Sequence, residues 1–435
     1  MKRMWLWLLA LLMLFPAGAQ AASMMDVAYW EAQAGSLGDS EVAGRAEISA
    51  MNAAIRMKDD LSVDLSAYPT EVSGETVLGY IKETAPSIEG LSLSDAKGNV
   101  RLTTETDKEK LLSVQREKGQ NSSVRYAVTT TRTNLRLLPT LHAWFDADSV
   151  RREDRLQGTA VDPAEPVVVL AESTDGDWCF VQMRNYRGWA MKSALAFAEH
   201  EEWMNYAAPD RFLVVMANLA TVSVNDKDKE IFQMGSRLPM LGHGWQSWKV
   251  RMPRADEEGN LQEVTLAVPH DVKMFREGYL PYTTNNIVRQ AFRFMGDVYG
   301  WGGLDNSVDS SALAVDVYRT VGIELPRDSE RQEAAMLHRI ELPAMLTDTE
   351  RMPVIATAMP GSLLFQPGQV SILLGTTTEG KPMVLQALYS YGANGLDGKE
   401  VQYPCRVLLS SLSLLGPDGR TFCKRVTSIG TLIPE

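Results

Sequence analysis

The stretch Tyr299-Gly-Trp-Gly-Gly-Leu-Asp-Asn-Ser-Val-Asp-Ser-Ser-Ala-Leu313 decides how the C-terminal part of this 435-residue chain is interpreted. Its glycines permit a tight turn with an accessible backbone. Asp309 stands where a helix cap belongs, because apolar residues recur at helical spacing from Leu313 to Val321, before Gly322. The pattern therefore predicts that Ser310 is the first residue of a helix, where free backbone amides and the helix dipole favour an anion.

This stretch resembles the signature of the NlpC/P60 cell-wall peptidases, papain-like enzymes with the motif Tyr-x-Trp-Gly-Gly, a short loop, and Asp-Cys-Ser-Gly/Ala-Leu. Ser310 stands where that family has its catalytic cysteine, whereas Tyr299, Trp301, Asp309 and Ser311 match the motif. A thiol at this position would be partly ionised. A serine hydroxyl stays protonated and needs a neighbouring base. The resemblance therefore implies a catalytic loop that has lost its nucleophile.

Two further positions of the resemblance are also changed. In Pro360-Gly-Ser-Leu-Leu-Phe-Gln-Pro-Gly-Gln-Val370, Gln369 stands where the family has its general-base histidine. In Met383-Val-Leu-Gln-Ala-Leu388, Gln386 stands where a third residue orients that base. Glutamine cannot accept a proton at physiological pH. Ser310, Gln369 and Gln386 are thus expected to form a degenerate catalytic triad, which predicts a pseudoenzyme.

A substitute base is not evident in the sequence. The chain has five histidines: His142, His200, His243, His270 and His338. None lies where the family places its base, and His338 is expected in a charged, solvated helix. A weak hydrolase that uses Ser310 with an unexpected base remains the enzyme alternative.

Relatives with this motif cleave the γ-D-glutamyl–diamino acid bond of bacterial stem peptides and hold the free amine of L-alanine beside the nucleophile. The residues that recognise this amine correspond to Tyr299, Asp309 and Ser311 here. A helix cap at Asp309 and packing of Tyr299 on the turn would explain the same residues. The expected partner is a peptidoglycan stem peptide or a cell-wall enzyme. A scaffold that binds other proteins through its SH3 modules is the further alternative.

Two upstream regions resemble bacterial SH3 domains. In the first, an apolar strand at Val167 to Leu170, a turn at Asp175-Gly176 and a strand at Trp178 to Met183 precede Tyr186-Arg-Gly-Trp189. In the second, the phrase Met234-Gly-Ser-Arg-Leu-Pro239 carries the resemblance.

We therefore expect an α+β, multidomain chain with an N-terminal helical region, two SH3-like β-barrels and a C-terminal papain-like NlpC/P60 domain. The expected boundaries are 1–21 for a signal peptide, 22–120 for the helical accessory region, 121–200 and 205–272 for the SH3-like domains, and 280–435 for the NlpC/P60-like domain.

The N-terminus resembles a secretory signal. Lys2 and Arg3 precede an apolar run from Met4 to Phe15 and a small-residue stretch from Ala17 to Ala22. The run is shorter than the roughly 20 residues that span a bilayer. We expect an exported protein, periplasmic or extracellular, without a transmembrane anchor after cleavage. In such a compartment Cys405 and Cys423 could form a disulfide across two neighbouring strands.

Charge and composition narrow the functional classes further. The formal net charge of −12 and the isoelectric point near 5.1 argue against a nucleic-acid partner, which requires a basic surface. The sequence contains neither a metal-ligand cluster nor a phosphate-binding loop, so we expect no metal and no cofactor.

Overall fold

The computed structural model describes residues 23–89, 91–94, 100–112, 121–146, 153–225, 228–393 and 400–433. The expected signal peptide, 1–21, lies outside the described residues. The α-helices are α1 (Val27–Ala34), α2 (Arg45–Lys58), α3 (Gly74–Thr84), α4 (Glu105–Leu111), α5 (His200–Ala207), α6 (Thr284–Phe292), α7 (Ser310–Arg319), α8 (Ser329–Ala335), α9 (Asp348–Thr357) and α10 (Phe422–Arg425). Within the described ranges, every helix is too short or too polar to cross a membrane.

The first half of the chain combines helices with short antiparallel strands. Its strands are β1 (Glu71–Ser73), β2 (Leu91–Ser94), β3 (Val100–Leu102), β4 (Asn121–Ser123), β5 (Arg125–Thr129), β6 (Thr133–Arg136), β7 (Trp144–Asp146), β8 (Gln157–Val161), β9 (Pro166–Glu172), β10 (Trp178–Gln182), β11 (Arg187–Met191) and β12 (Leu195–Ala198). β1 pairs with β4, and β2 lies between β3 and β7, so the N-terminal region is not purely helical. A seven-stranded sheet follows in the order β12-β5-β9-β10-β11-β6-β8.

A second β unit follows α5. Its strands are β13 (Phe212–Val215), β14 (Leu219–Ser223), β15 (Lys229–Gln233), β16 (Arg237–His243), β17 (Ser247–Ala255), β18 (Leu261–Pro269) and β19 (Phe275–Glu277). Five of them form a sheet in the order β18-β17-β16-β13-β19, and β14 pairs with β15. One apolar core, which includes Phe232 and Trp248, lies inside this unit.

The expectation that each β unit forms a closed barrel is wrong, because both sheets are open. Their edges are covered by neighbouring parts of the chain instead of by closure. At the β12 edge, Phe197 N donates to Gly259 O of the β17–β18 turn, at 2.9 Å. At the opposite edge, β8 lies against the glycine turn at Gly302 and Gly303.

The C-terminal part is a six-stranded antiparallel sheet between two helical layers. The strands of this part of the chain are β20 (His338–Glu341), β21 (Leu363–Gln366), β22 (Gln369–Thr376), β23 (Pro382–Leu388), β24 (Tyr391–Ala393), β25 (Glu400–Gln402), β26 (Arg406–Ser411) and β27 (Ser428–Thr431). The sheet order is β20-β27-β21-β22-β23-β26, while β24 and β25 pair separately. Leu363 and Phe365 face a core with α6 and α7, whereas Leu364 between them faces α9 and α10.

The N-terminal segment completes this C-terminal core. Trp30 on α1 is 1% exposed and belongs to the same buried cluster as Ile287 and Leu374. Arg289 on α6 forms an ion pair with Glu31 beside it. The first described helix is therefore a structural part of the last domain.

Two smaller expectations are corrected by the structure. Cys405 and Cys423 are both free thiols, because Cys423 is buried on the helix α10 while Cys405 lies before β26 with its sulfur 3.7 Å from Tyr389 O. His338 begins the exposed strand β20 rather than lying in a helix.

Candidate ligand-binding cleft around Ser310

The glycine turn before α7 is held against the first β unit. Gly302 and Gly303 have φ of 57° and 77°, conformations that other residues rarely adopt. A Cβ on Gly303 would lie 2.8 Å from Ala160 Cβ on β8. Trp301 Nε1 donates to Asp154 O at 3.0 Å, and Gln157 Nε2 donates to Gly302 O at 2.9 Å. The turn thus joins the loop before Ser310 to the neighbouring sheet.

Asp309 caps α7 and is neutralised by Arg327. Its Oδ1 accepts from Ala312 N at 2.8 Å, and its Oδ2 accepts from Gly302 N at 3.0 Å. Arg327 donates to both oxygens, at 3.1 and 2.7 Å. Burial opposes ionisation of Asp309, but Arg327 and these hydrogen bonds outweigh it and hold the pKa below its usual value. The carboxylate is therefore charged and already paired.

The three residues predicted to form a degenerate triad lie together at the junction of α7, β22 and β23. Ser310 is the first residue of α7, and its Oγ accepts from Val370 N at 3.5 Å. Gln369 Nε2 donates to Gln386 Oε1 at 2.7 Å, and Gln386 Nε2 donates to Ser410 Oγ at 2.7 Å. Gln386 is fully buried. A chain of neutral amides thus lies where the sequence resemblance predicts a base and its orienting residue.

Two cavities meet at Ser310, and Tyr299, Trp301 and Ser310 line both of them. We describe them as one cleft, in which the larger cavity is the long arm and the smaller cavity is the short arm. The long arm has a volume of about 470 Å³. The side chains that line it come from three parts of the chain and include Ser87, Gln157, Tyr186, Asp309, Ser311, Arg327, Asp328, Ser329 and Arg331. The short arm has a volume of about 160 Å³. Its further lining residues include Glu153, Gln369, Tyr389, Ser390, Phe422 and Arg425.

Comparison with known proteins identifies the fold around this cleft. Residues 296–391 match the NlpC/P60 family model, and residues 145–190 match the model of an SH3 domain of the SH3b1 type. This chain contains an NlpC/P60 domain. The matched region includes Tyr299, Ser310, Gln369 and Gln386, so it spans both sides of the cleft.

One solved structure extends the likeness of fold to most of the chain. A structure described as a novel NlpC/P60 endopeptidase from Photobacterium damselae subsp. piscicida superposes with a TM-score of 0.74 at 17% identity, covering 94% of this chain and 96% of that one. An NlpC/P60 family protein from Bacillus cereus has a TM-score of 0.47 at 15% identity, covering 71% and 100%. No curated protein sequence matches the chain.

The NlpC/P60 domain contributes two cleft residues that the sequence analysis missed, Arg327 and Asp328. Their signal was an adjacent pair of opposite charges directly after Pro326 and before α8. Arg327 is 5% exposed and also donates to Ser311 Oγ at 2.8 Å. Asp328 is half-buried at the N-cap of α8, and burial raises its pKa.

The lining of the cleft offers no nitrogen base among its described residues. The side chains around Ser310 include neither histidine nor lysine. Their nitrogen-bearing members are arginine, glutamine and tryptophan, and an arginine guanidinium stays protonated. The proton acceptors among these described side chains are therefore carboxylates rather than nitrogen bases.

Proposed function

We propose that this protein binds stem peptides of the bacterial cell wall at the Ser310 cleft and does not cleave them. The observation that carries the proposal is the hydrogen bond from Gln369 to Gln386, which leaves neutral amides beside a serine. The cleft itself is open and lined by polar groups. The NlpC/P60 and SH3b1 domains suggest peptidoglycan as the binding target and an exported protein.

The long arm suits the amine end of such a peptide. Tyr299, Asp309 and Ser311 line it, but the charge of Asp309 is matched by Arg327. Asp328 lines the same arm, and its carboxylate makes no ion pair or hydrogen bond with any described side chain. An ammonium group would stabilise the charged form of Asp328. We therefore assign to Asp328 the negative charge that pairs with the ammonium group of the peptide. Asp309 and Ser311 instead position Arg327 beside Asp328.

The first test compares two versions of one peptide. Calorimetry with L-Ala-γ-D-Glu-diaminopimelate is expected to show binding, whereas the N-acetylated peptide should bind weakly or not at all. Asp328→Asn should weaken binding of the free peptide by about 1–3 kcal/mol, the value of a partly buried, charge-assisted hydrogen bond. Asp305→Asn is the matched control, because Asp305 is exposed on the glycine turn and lines neither arm.

Equal affinity for the free and the acetylated peptide would contradict the proposal that the long arm binds the free amine of the peptide. Mass spectrometry of the same mixtures tests inactivity, since intact peptide is expected after prolonged incubation. Turnover that disappears in Ser310→Ala would instead favour the serine hydrolase. Absence of binding to either peptide would favour a scaffold that binds other proteins.

A further inference from the structure

The short arm meets the long arm at Tyr299, Trp301 and Ser310 and differs from it in chemistry. A peptide bound across Ser310 places one residue in each arm. Among the described residues that line the short arm, Glu153 has the acidic side chain and Arg425 has the positively charged side chain. Tyr389 and Ser390 add hydroxyl groups, and Tyr389 packs edge-on against Tyr299 with ring centroids 5.6 Å apart. The arm is therefore small, polar and walled by aromatic rings.

The positive charge of Arg425 in the short arm is only partly neutralised. Arg425 Nη1 donates to Asp418 Oδ2 at 2.7 Å, and Arg420 Nε donates to the same oxygen at 2.8 Å. Two guanidinium groups thus share one carboxylate, which leaves one positive charge over the three side chains. The side chain of Arg420 is 61% exposed, whereas that of Arg425 is 18% exposed and reaches the arm.

We propose that Arg425 binds a carboxylate of the residue that enters the short arm. The planar guanidinium recognises carboxylates with paired hydrogen bonds. Glu153 lines the same arm, so contact with the Arg425 guanidinium, rather than a net positive charge of the arm, selects the ligand. The inference rests on the proposed function, because it assumes that a stem peptide crosses Ser310. It assigns to the short arm a diamino acid with a free carboxylate. Recognition of the side-chain carboxylate would distinguish diaminopimelate from lysine at the same position.

The carboxylate has two sources in such a peptide, the main-chain end and the side-chain end of diaminopimelate. Calorimetry with four peptides distinguishes them: L-Ala-γ-D-Glu-diaminopimelate, its main-chain amide, its side-chain amide, and L-Ala-γ-D-Glu-L-Lys. The peptide amidated at the carboxylate that Arg425 binds is expected to lose about ten- to a hundredfold in affinity. If the side-chain carboxylate is the one bound, the lysine peptide loses affinity to a similar extent.

Variants of the protein test whether Arg425 is responsible for this loss of peptide affinity. Arg425→Met should weaken the preferred peptide by the same factor and leave the amidated peptide unchanged, while Arg425→Lys should recover part of the affinity. Arg420→Met is the matched control, because it removes the same charge from the same aspartate outside the arm. Far-ultraviolet circular dichroism and thermal unfolding of each variant show whether the fold is retained.

Three results would overturn the inference. If all four peptides bind equally, the short arm does not select a carboxylate, although the proposed function stands. If Arg420→Met weakens binding as much as Arg425→Met, the effect is general electrostatic attraction rather than contact. If no peptide binds, the proposed function fails and this inference fails with it.

Discussion

Arg327 and Asp309 form a buried, two-bond ion pair at the start of the helix that carries Ser310. Arg327 Nε also donates to Thr159 Oγ1 on β8, at 2.8 Å. One guanidinium therefore joins the helix cap, the segment before α8 and the neighbouring sheet. The geometry of the cleft depends on this pair even if no chemistry takes place there.

Replacing Arg327 by methionine is expected to destabilise the protein by about 3–5 kcal/mol, because it leaves the Asp309 carboxylate buried without a counter-charge. Urea unfolding followed by tryptophan fluorescence measures the loss. Arg339→Met is the control, since Arg339 pairs with Glu341 on the surface and such pairs contribute about 0–1 kcal/mol. Equal unfolding midpoints for Arg327→Met and the control would refute the structural role of the pair.

Alanine at Gly303 should cost more than alanine at a glycine that has the same backbone conformation but free space. Gly303 and Gly176 have φ of 77° and 80°, but only a Cβ on Gly303 meets another atom, at 2.8 Å. Gly176→Ala is expected to cost about 1–2 kcal/mol from backbone strain alone. Gly303→Ala adds the displacement of β8, so its thermal midpoint should be clearly lower. Identical midpoints would show that the turn does not need its close contact with the sheet.

Restoring the cysteine alone is expected to give little hydrolysis. In Ser310→Cys the thiol gains a helix N-terminus but still faces Gln369, which cannot accept a proton. The triple variant Ser310→Cys, Gln369→His, Gln386→His places a base and an orienting residue where the two amides now touch. Mass spectrometry of stem-peptide digests distinguishes the variants. Rapid cleavage by the single variant would reveal a base that these contacts do not explain.

The buried carboxyl group of Asp316 should make the free energy of unfolding depend on pH. It lies on α7 against a cavity of about 60 Å³, and its Oδ2 has no hydrogen-bond partner among the described groups. Burial raises its pKa to about 8. The unfolded carboxyl titrates near pH 4, so between about pH 4 and pH 8 the folded state keeps a proton that the unfolded state has lost. The stability that this proton provides therefore decreases as the pH rises through that range.

Asp316→Asn removes this dependence. The variant should be more stable than the parent at pH 8, by about 1–3 kcal/mol, and the difference should shrink towards pH 4. Thermal unfolding at a series of pH values measures it, with Asp305→Asn as an exposed control. A difference that stays constant with pH would contradict the titration of Asp316.

Local sequence rules predicted the parts of this structure that depend on neighbouring residues. The cap at Asp309 and the β9–β10 hairpin around Gly176 follow from turn and capping preferences. The open edges of the two sheets could not be predicted in this way, because the covering contacts come from distant segments. Asp328 was missed for the same reason. Its half-buried environment depends on the contact of α8 with α2 and on the hydrogen bond between Arg327, in the segment before α8, and Thr159 on β8.

The position of Trp30 has a consequence for the way in which the protein can fold. This residue lies far ahead, in the sequence, of the strands whose core it fills. The C-terminal domain can therefore finish packing only when α1 returns to it. Contacts at such long sequence separation slow folding and leave apolar surface exposed for longer. A fragment that carries only the C-terminal domain, without α1, would therefore be an aggregation-prone reagent.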